Sequence, residues 1–386
     1  MFSRHRHPFT LGNLHMKKAL LGTSALLGVG LAASPAFAAD GIKLSLGGFF
    51  QTAVLANFDD DGQGDLGHGR YGDGVFNDSE IYFLGETTLD NGVTVGARVE
   101  LEAEQSDDQI DAAYAYFSGG FGEFRIGSQI GALETMCVTP VGGTANFGAF
   151  SQNQVINNAF SGFSAGICEG VDSFRGQERS QKIVYMTPNF SGFQLGISWS
   201  PNGGHEFTEV TNFHSGMPQS VDGEQRNVVD VYATYNKDFD NWSLSWGSGG
   251  SWALSSGGNS PSHNKGDFYQ TALNLTFGSF SIGAAGQYYG DGIAADENGW
   301  VAGGGMAYNL DAWTFGLQYS YSDFEFIAPN VDRRINTLAL TTNYDLGPGI
   351  ALDGTLQYAW AHADSADEEA HGYDSFGIGL GTSFNF

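Results

Sequence analysis

SFGIGLGTSFNF, residues 375–386, ends the chain and decides the fold class. From Phe376 onward every second residue is large and apolar or carries a methyl group, and the residues between them are Gly, Gly, Gly, Ser and Asn. This period of two predicts a β-strand with two unlike faces. Because soluble proteins usually place charged residues on the polar face, the pattern predicts lipid against the apolar face and water against the Gly/Ser/Asn face.

The same alternation recurs along the chain. In residues 312–322 the apolar face carries Trp, Phe, Leu and two Tyr, while Thr, Gly, Gln and Ser share the other. Such segments predict about sixteen strands of about ten residues each, an all-β, transmembrane antiparallel β-barrel. They begin near Ile42, Asn77, Gly92, Ile110, Phe121, Ser180, Ser191, Arg226, Trp242, Asp267, Phe280, Trp300, Ala312, Arg333, Ile350 and Ser375.

Composition favours a membrane barrel over a soluble one. Charged residues make up 15% of the chain and aromatic residues 14%, and there are 57 Gly. A soluble sandwich or pair of barrels, the alternative arrangement, would need richly charged outer faces. No run after residue 39 approaches the ~20 apolar residues of a spanning helix. Aromatic residues near strand ends fit the interfacial girdles of membrane barrels: Trp199, Tyr319, Tyr321, Tyr358, Trp360 and Phe386.

The connections alternate between short and long. Short turns fall at 90–92, 119–120, 189–191, 239–241 and 347–348, and long polar stretches at 58–76, 201–225, 254–265 and 323–332. Outer-membrane barrels have short periplasmic turns and long external loops. The chain is therefore expected to start and end on the periplasmic side.

The N-terminus has the pattern of an export signal. From Met16 the chain has two lysines, an apolar run and the cleavage-site pattern Ala36-Phe37-Ala38. This predicts a Sec signal peptide over residues 1–38 and a single mature domain over 39–386; a membrane anchor is the alternative. Residues 1–15 are either an extension of the signal or follow an unused upstream start.

The mature chain is strongly acidic. Residues 1–38 contain four basic and no acidic residues, which leaves 12 basic against 43 acidic residues. Nucleic acid is excluded as a partner because phosphate binding needs the opposite sign, and cations are the natural counterions. Export to an oxidising compartment predicts a disulfide between Cys137 and Cys168; two free buried thiols are the alternative.

Three segments resemble the strand-turn-strand units of Gram-negative general-diffusion porins. They are GVTVGARVE from Gly92, AYFSGGFGEFRIG from Ala115 and IVYMTPNFSGFQLG from Ile183. The resemblance covers residues 40–386 and implies a sixteen-stranded barrel, typically a homotrimer, whose third external loop folds into the lumen. It also implies that Phe386 is the assembly signal for the outer-membrane insertion machinery, and that the cell outer membrane of a Gram-negative bacterium is the location.

About fifty residues separate the strand ending near Gln129 from the one starting near Ser180. This length is unusual for a connection and predicts a functional loop, and its position matches the constricting loop of the family. A surface excursion shielding the barrel is the alternative. A bridge between the two cysteines would shorten its free length.

The charged residues depart from the porin pattern, in which a basic wall faces an acidic loop and the field between them orients solutes. The resemblance implies arginine where this chain has Glu80, Asp111 and Ser128. Alternation places Arg98, Glu100 and Glu102 on the lumen side. The remaining predicted pore-lining or constriction residues are Arg125 on the wall, Glu134, Glu169 and Asp172 in the loop, and Arg175, Arg179 and Lys182 at its exit.

Metal sites and catalysis have weak support. Asp59, Asp61 and Asp65 resemble a Ca²⁺ loop but lack the closing Glu, so a solvated acidic turn is favoured over weak Ca²⁺ binding or a bridge to lipopolysaccharide. We expect no cofactor. The mature histidines have no ligand-like spacing, and no arrangement of Ser and His points to a hydrolase.

The sequence therefore predicts a cation-preferring passive diffusion channel for small hydrophilic solutes. Many acidic residues lie in the external loops, so surface solvation is the alternative reason for their excess. A plugged barrel that acts as a receptor or structural anchor through its loops is the alternative function.

Overall fold

The computed structural model describes residues 41–59, 72–103, 110–150, 167–168, 179–203, 225–256, 266–290, 298–326, 331–365 and 371–386. The chain divides into Met1–Ala38 and Ala39–Phe386, and all described residues belong to the second unit. The predicted signal peptide lies outside the described residues and stays a prediction. The same is true of Asp61, Asp65, Glu169, Asp172 and Arg175 and of the side chain of Asp59.

Sixteen strands and one short helix make up the described secondary structure. The first eight strands are β1 (Lys43–Asp59), β2 (Asp73–Thr88), β3 (Thr94–Glu102), β4 (Ile110–Gly119), β5 (Gly122–Ser128), β6 (Gln181–Met186), β7 (Phe193–Asn202) and β8 (Gln225–Asp238). The others are β9 (Ser243–Ser256), β10 (Asp267–Phe277), β11 (Phe280–Gly290), β12 (Asn298–Leu310), β13 (Trp313–Phe326), β14 (Val331–Gly347), β15 (Ile350–Ser365) and β16 (His371–Asn385). Helix α1 (Ala132–Met136) lies between β5 and β6.

The strands form a closed barrel in which each strand pairs antiparallel with its neighbour in sequence. Closure comes from β1 pairing with β16, with Ala53 opposite Gly381. At its end, the Phe386 N–H donates to the Gly48 carbonyl oxygen at 3.1 Å, and the Gly48 N–H donates back at 2.9 Å. Since closure removes free sheet edges, the predicted barrel of sixteen strands is confirmed.

The strands are longer than predicted, reaching 17 residues in β1 and β14. The segment 323–332, expected to be a loop, consists largely of the end of β13 and the start of β14. Alternation of apolar residues marks only the ~9–11 residues of a strand that cross the hydrocarbon. Beyond that zone both strand faces meet polar surroundings, so the sequence pattern stops before the strand does.

The two faces of the barrel wall differ as the alternation predicts. In β7 the outward Leu195, Ile197 and Trp199 are exposed, whereas Ser198 and Ser200 on the inner face are buried. Outward-facing aromatic residues concentrate near both ends of many strands. Near the long-loop end, Trp252 donates to Tyr269 at 3.1 Å and Tyr319 donates to Asn336 at 2.7 Å, as expected for side chains with an apolar body and a polar tip.

The inner face is packed against protein over part of its area. Three apolar clusters lie inside the barrel: one around Phe268, Tyr289 and Phe324, one around Phe147 and Ala53, and one around Ala132, Val184 and Met186. The expectation of water against the small-residue face of the last strand is therefore wrong where Phe147 packs against Gly379. No helix among the described residues has the length and hydropathy needed to cross a membrane.

Candidate functional site

A ladder of charged and aromatic side chains follows the inner face of β2–β5. Leu84 is the register partner of Arg98, and Tyr82 is the register partner of Glu100. Arg98 forms an ion pair with Glu100, and its guanidinium carbon lies 3.9 Å from the centre of the Tyr82 ring. The cation is therefore held by a carboxylate and by the face of an aromatic ring.

The next step of the ladder repeats this arrangement. Arg125 Nε lies 2.6 Å from Glu123 Oε1, and its guanidinium carbon lies 5.4 Å from the centre of the Tyr114 ring. Beside it, the Tyr116 hydroxyl donates to Glu86 at 2.7 Å. Each arginine on this wall thus has a carboxylate neighbour on the same wall, which differs from a basic wall facing an acidic loop.

Three acidic side chains meet near the long-loop end of the ladder. Glu80, Glu100 and Asp111 each place a carboxylate oxygen within 4.8 Å of the others. Arg179 Nε lies 2.7 Å from Asp111 Oδ2, and Arg98 pairs with Glu100. The two guanidiniums offset two of the three negative charges of this group. The prediction of no metal stays a prediction.

The other three described residues of the predicted set lie on β3, on β6 and in α1. Glu102, the register partner of Glu80, ends β3. Lys182 on β6 is the register partner of Gly127 on β5, and it is buried. Glu134 lies in the first turn of α1. The pore-lining role of the whole set stays a prediction, although the structure brings most of the described members together on one wall.

The connection between β5 and β6, residues 129–180, is the third long loop in chain order. Its first part contacts the inner face of β7, β8 and β10. The Ala132 N–H donates to Ser198 at 3.0 Å, and Ser198 donates to Asp230 at 2.7 Å.

Further along, the Val138 N–H donates to the Tyr232 hydroxyl at 3.3 Å. That hydroxyl in turn donates to Gln270. The amide of Gln270 closes the ring by donating to the Val138 carbonyl oxygen at 3.0 Å.

The following loop residues, 139–149, contact the inner face of β10 and β13–β16. Asn274 donates to the Thr139 carbonyl oxygen at 2.8 Å, and Thr341 donates to that of Gly142 at 2.6 Å. Asn146 donates to Asp353 at 2.6 Å. Residues 129–150 therefore lie against the inner wall; the path of the whole loop stays a prediction, because 151–166 and 169–178 lie outside the described residues.

Glycines on the inner wall make room for this loop. A Cβ at Gly305 would collide with the Val141 carbonyl oxygen, and one at Gly316 would collide with that of Gly142. Even the smallest side chain at these positions would push the loop away from the wall. The small inner residues of these strands thus accommodate a peptide chain as well as solvent.

A disulfide joins Cys137 and Cys168 within the loop, with 2.11 Å between the sulfur atoms. Ile167, next to it, is 2% exposed and packs in the apolar cluster around Phe268, Tyr289 and Phe324. The disulfide therefore draws residues that are distant in sequence to one patch of the β8–β13 wall.

A family model described as Gram-negative porin matches residues 22–364. The chain belongs to the Gram-negative porin family. This places the protein in the outer membrane. The periplasmic position of the short turns stays a prediction.

Individual relatives of this porin are distant. A "Monosaccharide porin" from Halomonas sp. is 27% identical over 208 residues, which cover 51% of this chain and 53% of the relative. A major outer membrane protein from Halomonas elongata matches with the same figures, so the chain spans about half the length of the curated relatives it matches.

Solved structures share the fold. An anion-selective porin from Comamonas acidovorans has a TM-score of 0.59 at 18% identity, over 89% of this chain and 100% of the other. OmpT of Vibrio cholerae in its trimer form has a TM-score of 0.54 at 14% identity, over 90% and 100% of the two chains.

Sequence reasoning missed the neutral residues that hold the loop, such as Gln270, Gln318 and Thr341. A buried glutamine or threonine on an inner face looks like any residue facing water. A usable signal was the string of glycines in β12, since inner-face glycines indicate that backbone approaches closely.

Proposed function

We propose that this porin is a passive diffusion channel for small hydrophilic solutes and ions, and that it prefers cations. The main support is the charge of the inner wall. Among the described inner-facing residues of β2–β6, acidic side chains outnumber basic ones, and Arg98 and Arg125 are each engaged by a neighbouring carboxylate. A net negative, confined wall concentrates cations and repels anions.

The reversal potential of a planar bilayer under a KCl gradient tests this preference. We expect the sign of a potassium-selective channel, and a chloride-selective sign would contradict it. Selectivity should weaken at high salt, because the screening length falls from ~10 Å at 0.1 M to ~3 Å at 1 M.

The solutes that we propose are uncharged or cationic and of the size of simple sugars. The name of the Halomonas relative makes monosaccharides the first solutes to test. Swelling of liposomes that contain the protein should follow on addition of a monosaccharide, without catalytic conversion of it. A barrel that serves only as a receptor or anchor would show no swelling.

We further propose a homotrimer whose contact surface is the outward face of β16 and β1–β6. Outward-facing Trp and Tyr near the external end occur on β7, β9–β13 and β15, for example Trp199, Trp300 and Tyr358. The described outward-facing residues at the same end of β16 and β1–β6 include neither. Because Trp and Tyr prefer the lipid–water interface, this gap is expected where protein replaces lipid.

Ala97 and Ala115, paired on the outward face of β3 and β4, would allow close approach of a second copy. Lipopolysaccharide around the remaining surface and the insertion machinery acting on Phe386 complete the proposed partners.

A further inference from the structure

Gln318 connects two separate parts of the third loop through one side chain. It lies on the inner face of β13 and is 3% exposed. Its Nε2 donates to the carbonyl oxygens of Pro140 at 3.0 Å and Val141 at 3.2 Å. Its Oε1 accepts the Ala149 N–H at 2.9 Å. The donor and the acceptor of one amide thus hold opposite arms of the same bend.

The wall beside Gln318 is shaped for this contact. Gly305 on β12 is the register partner of Gln318, and Gly316 precedes it by two residues on the same face. A Cβ at either glycine would collide with the Val141 or Gly142 carbonyl oxygen. The loop backbone therefore lies directly on the strands at the point where the amide binds it. This close approach is an observation independent of the hydrogen bonds.

Other anchors nearby hold one arm each. Thr341 donates to the Gly142 carbonyl oxygen at 2.6 Å, and Ser320 donates to that of Ala149 at 2.8 Å. The Gln318 amide, in contrast, contacts both arms. If this side chain is removed, backbone groups on both arms lose a partner in a site closed to water, which is unfavourable.

We propose that Gln318 is a positioning residue that fixes residues 140–149 of the third loop against β12–β14 and thereby sets the bore of the channel beside them. This inference rests on the proposed function, since the bore matters only in a conducting barrel. The described part of the loop then keeps a fixed position on one side of the lumen, and solute passes along the opposite wall of β2–β6.

Gln318→Ala and Gln318→Glu test the role of the amide. Glutamate keeps the size of the side chain and an acceptor for the Ala149 N–H, but once ionised it has no donor for the Pro140 and Val141 carbonyl oxygens. The recordings are therefore made at a pH high enough to ionise a buried carboxyl group. If hydrogen-bond donation holds the loop, the conductance of each open pore fluctuates among several values in both variants, whereas in the wild type it is uniform. If side-chain volume alone matters, the glutamate variant behaves as the wild type.

Two further variants provide a weaker version of the same change and a control. Thr341→Val removes one anchor at nearly constant side-chain volume. It should widen the spread of conductance values, but less than the Gln318 variants do. Gln194→Ala is the matched control, because Gln194 is an inner-facing glutamine of β7 whose amide donates to the Thr187 carbonyl oxygen at 2.9 Å. It should keep the wild-type conductance level.

Hydrogen–deuterium exchange separates this inference from the proposed function. The Ala149 N–H should exchange faster in Gln318→Ala and Gln318→Glu than in the wild type, whether or not the protein conducts. Wild-type protein that fails to conduct would remove the channel proposal. Folded Gln318 variants with wild-type exchange and the uniform wild-type conductance per open pore would overturn the positioning role.

A change in electrophoretic mobility on heating reports whether each barrel has folded. Should Gln318→Ala fail to fold, Gln318→Glu and Thr341→Val carry the same comparison.

Discussion

The ring of Phe147 lies over Gly379, on the inner face of the last strand, and Leu380 faces outward beside it. A Cβ built at Gly379 would lie 2.7 Å from two ring atoms of Phe147. The lack of a side chain at Gly379 therefore makes room for an aromatic side chain from the third loop. The glycine and the aromatic residue that it accommodates lie more than two hundred positions apart in sequence.

Gly379→Ala should weaken the packing of Phe147 against the last strand. The added methyl group forces the Phe147 ring to move, and overpacking of this kind costs about 1–3 kcal/mol. Urea unfolding in detergent should show a lower midpoint. Gly286→Ala is the control, because a Cβ there meets its nearest atom at 3.5 Å, and it should unfold as the wild type does. Equal midpoints for the two variants would contradict the packing argument.

The disulfide should stabilise the loop chiefly by limiting its freedom when it leaves the wall. Cys137 and Cys168 are 31 positions apart, and closing a loop of 15 to 100 residues is worth roughly 3–5 kcal/mol in the chain-entropy model. Cys137→Ser should therefore make the loop more sensitive to limited proteolysis while the barrel stays folded. Reduction of the wild type with dithiothreitol should have the same effect. A cleavage rate unchanged by both treatments would show that the wall contacts alone hold the loop.

Glu100→Gln should lower the preference for cations in two ways. It removes one negative charge from the inner wall, and it removes the ion-pair partner of Arg98, which leaves that cation free to act on passing ions. The ratio of potassium to chloride permeability in bilayers should fall. Arg98→Gln should raise the ratio. Asp240→Asn, an exposed acid in the short turn between β8 and β9, should leave it nearly unchanged, and a fall of equal size there would favour a general surface-charge effect.

The strands were predictable because lipid is a uniform environment that demands an apolar residue at every outward position. The inner face has no such rule. Gln318 beside the loop and Gln194 near the short turns have the same chemistry, and nothing in the alternation separates them. Predicting the loop anchors needs knowledge of where the loop runs, which is a property of tertiary packing.

The ladder was partly predictable. The short turn after β2 sets Thr88 opposite Thr94, and counting outward from that pair places Tyr82 opposite Glu100. The same counting fails between β3 and β4, where the register shifts after Glu100. That irregularity brings Asp111 to the other carboxylates, and no turn length reveals it.

Phe386 should matter for assembly more than for the stability of the finished barrel. Phe386 is 67% exposed, so Phe386→Ala removes little packing, and the backbone pairing with Gly48 does not depend on the side chain. We expect slow assembly of Phe386→Ala by purified insertion machinery and nearly normal refolding in detergent. Equal slowing in both assays would assign the effect to closure of the barrel.

Ala115→Trp should disrupt the trimer if a second copy covers the outward face of β3 and β4. A bulky side chain between Ala97 and Ala115 of neighbouring strands would hold two protein surfaces apart, whereas lipid tails would adapt to it. Ala284→Trp on β11 is the matched control, because Ala284 is likewise small, exposed and outward-facing, but lies on the arc that carries the external Trp and Tyr residues. Chemical crosslinking and electrophoresis without heating should show monomers for Ala115→Trp and trimers for Ala284→Trp. Loss of the trimer in the second variant alone would place the contact surface on the opposite side of the barrel, and intact trimers in both would remove β3 and β4 from it.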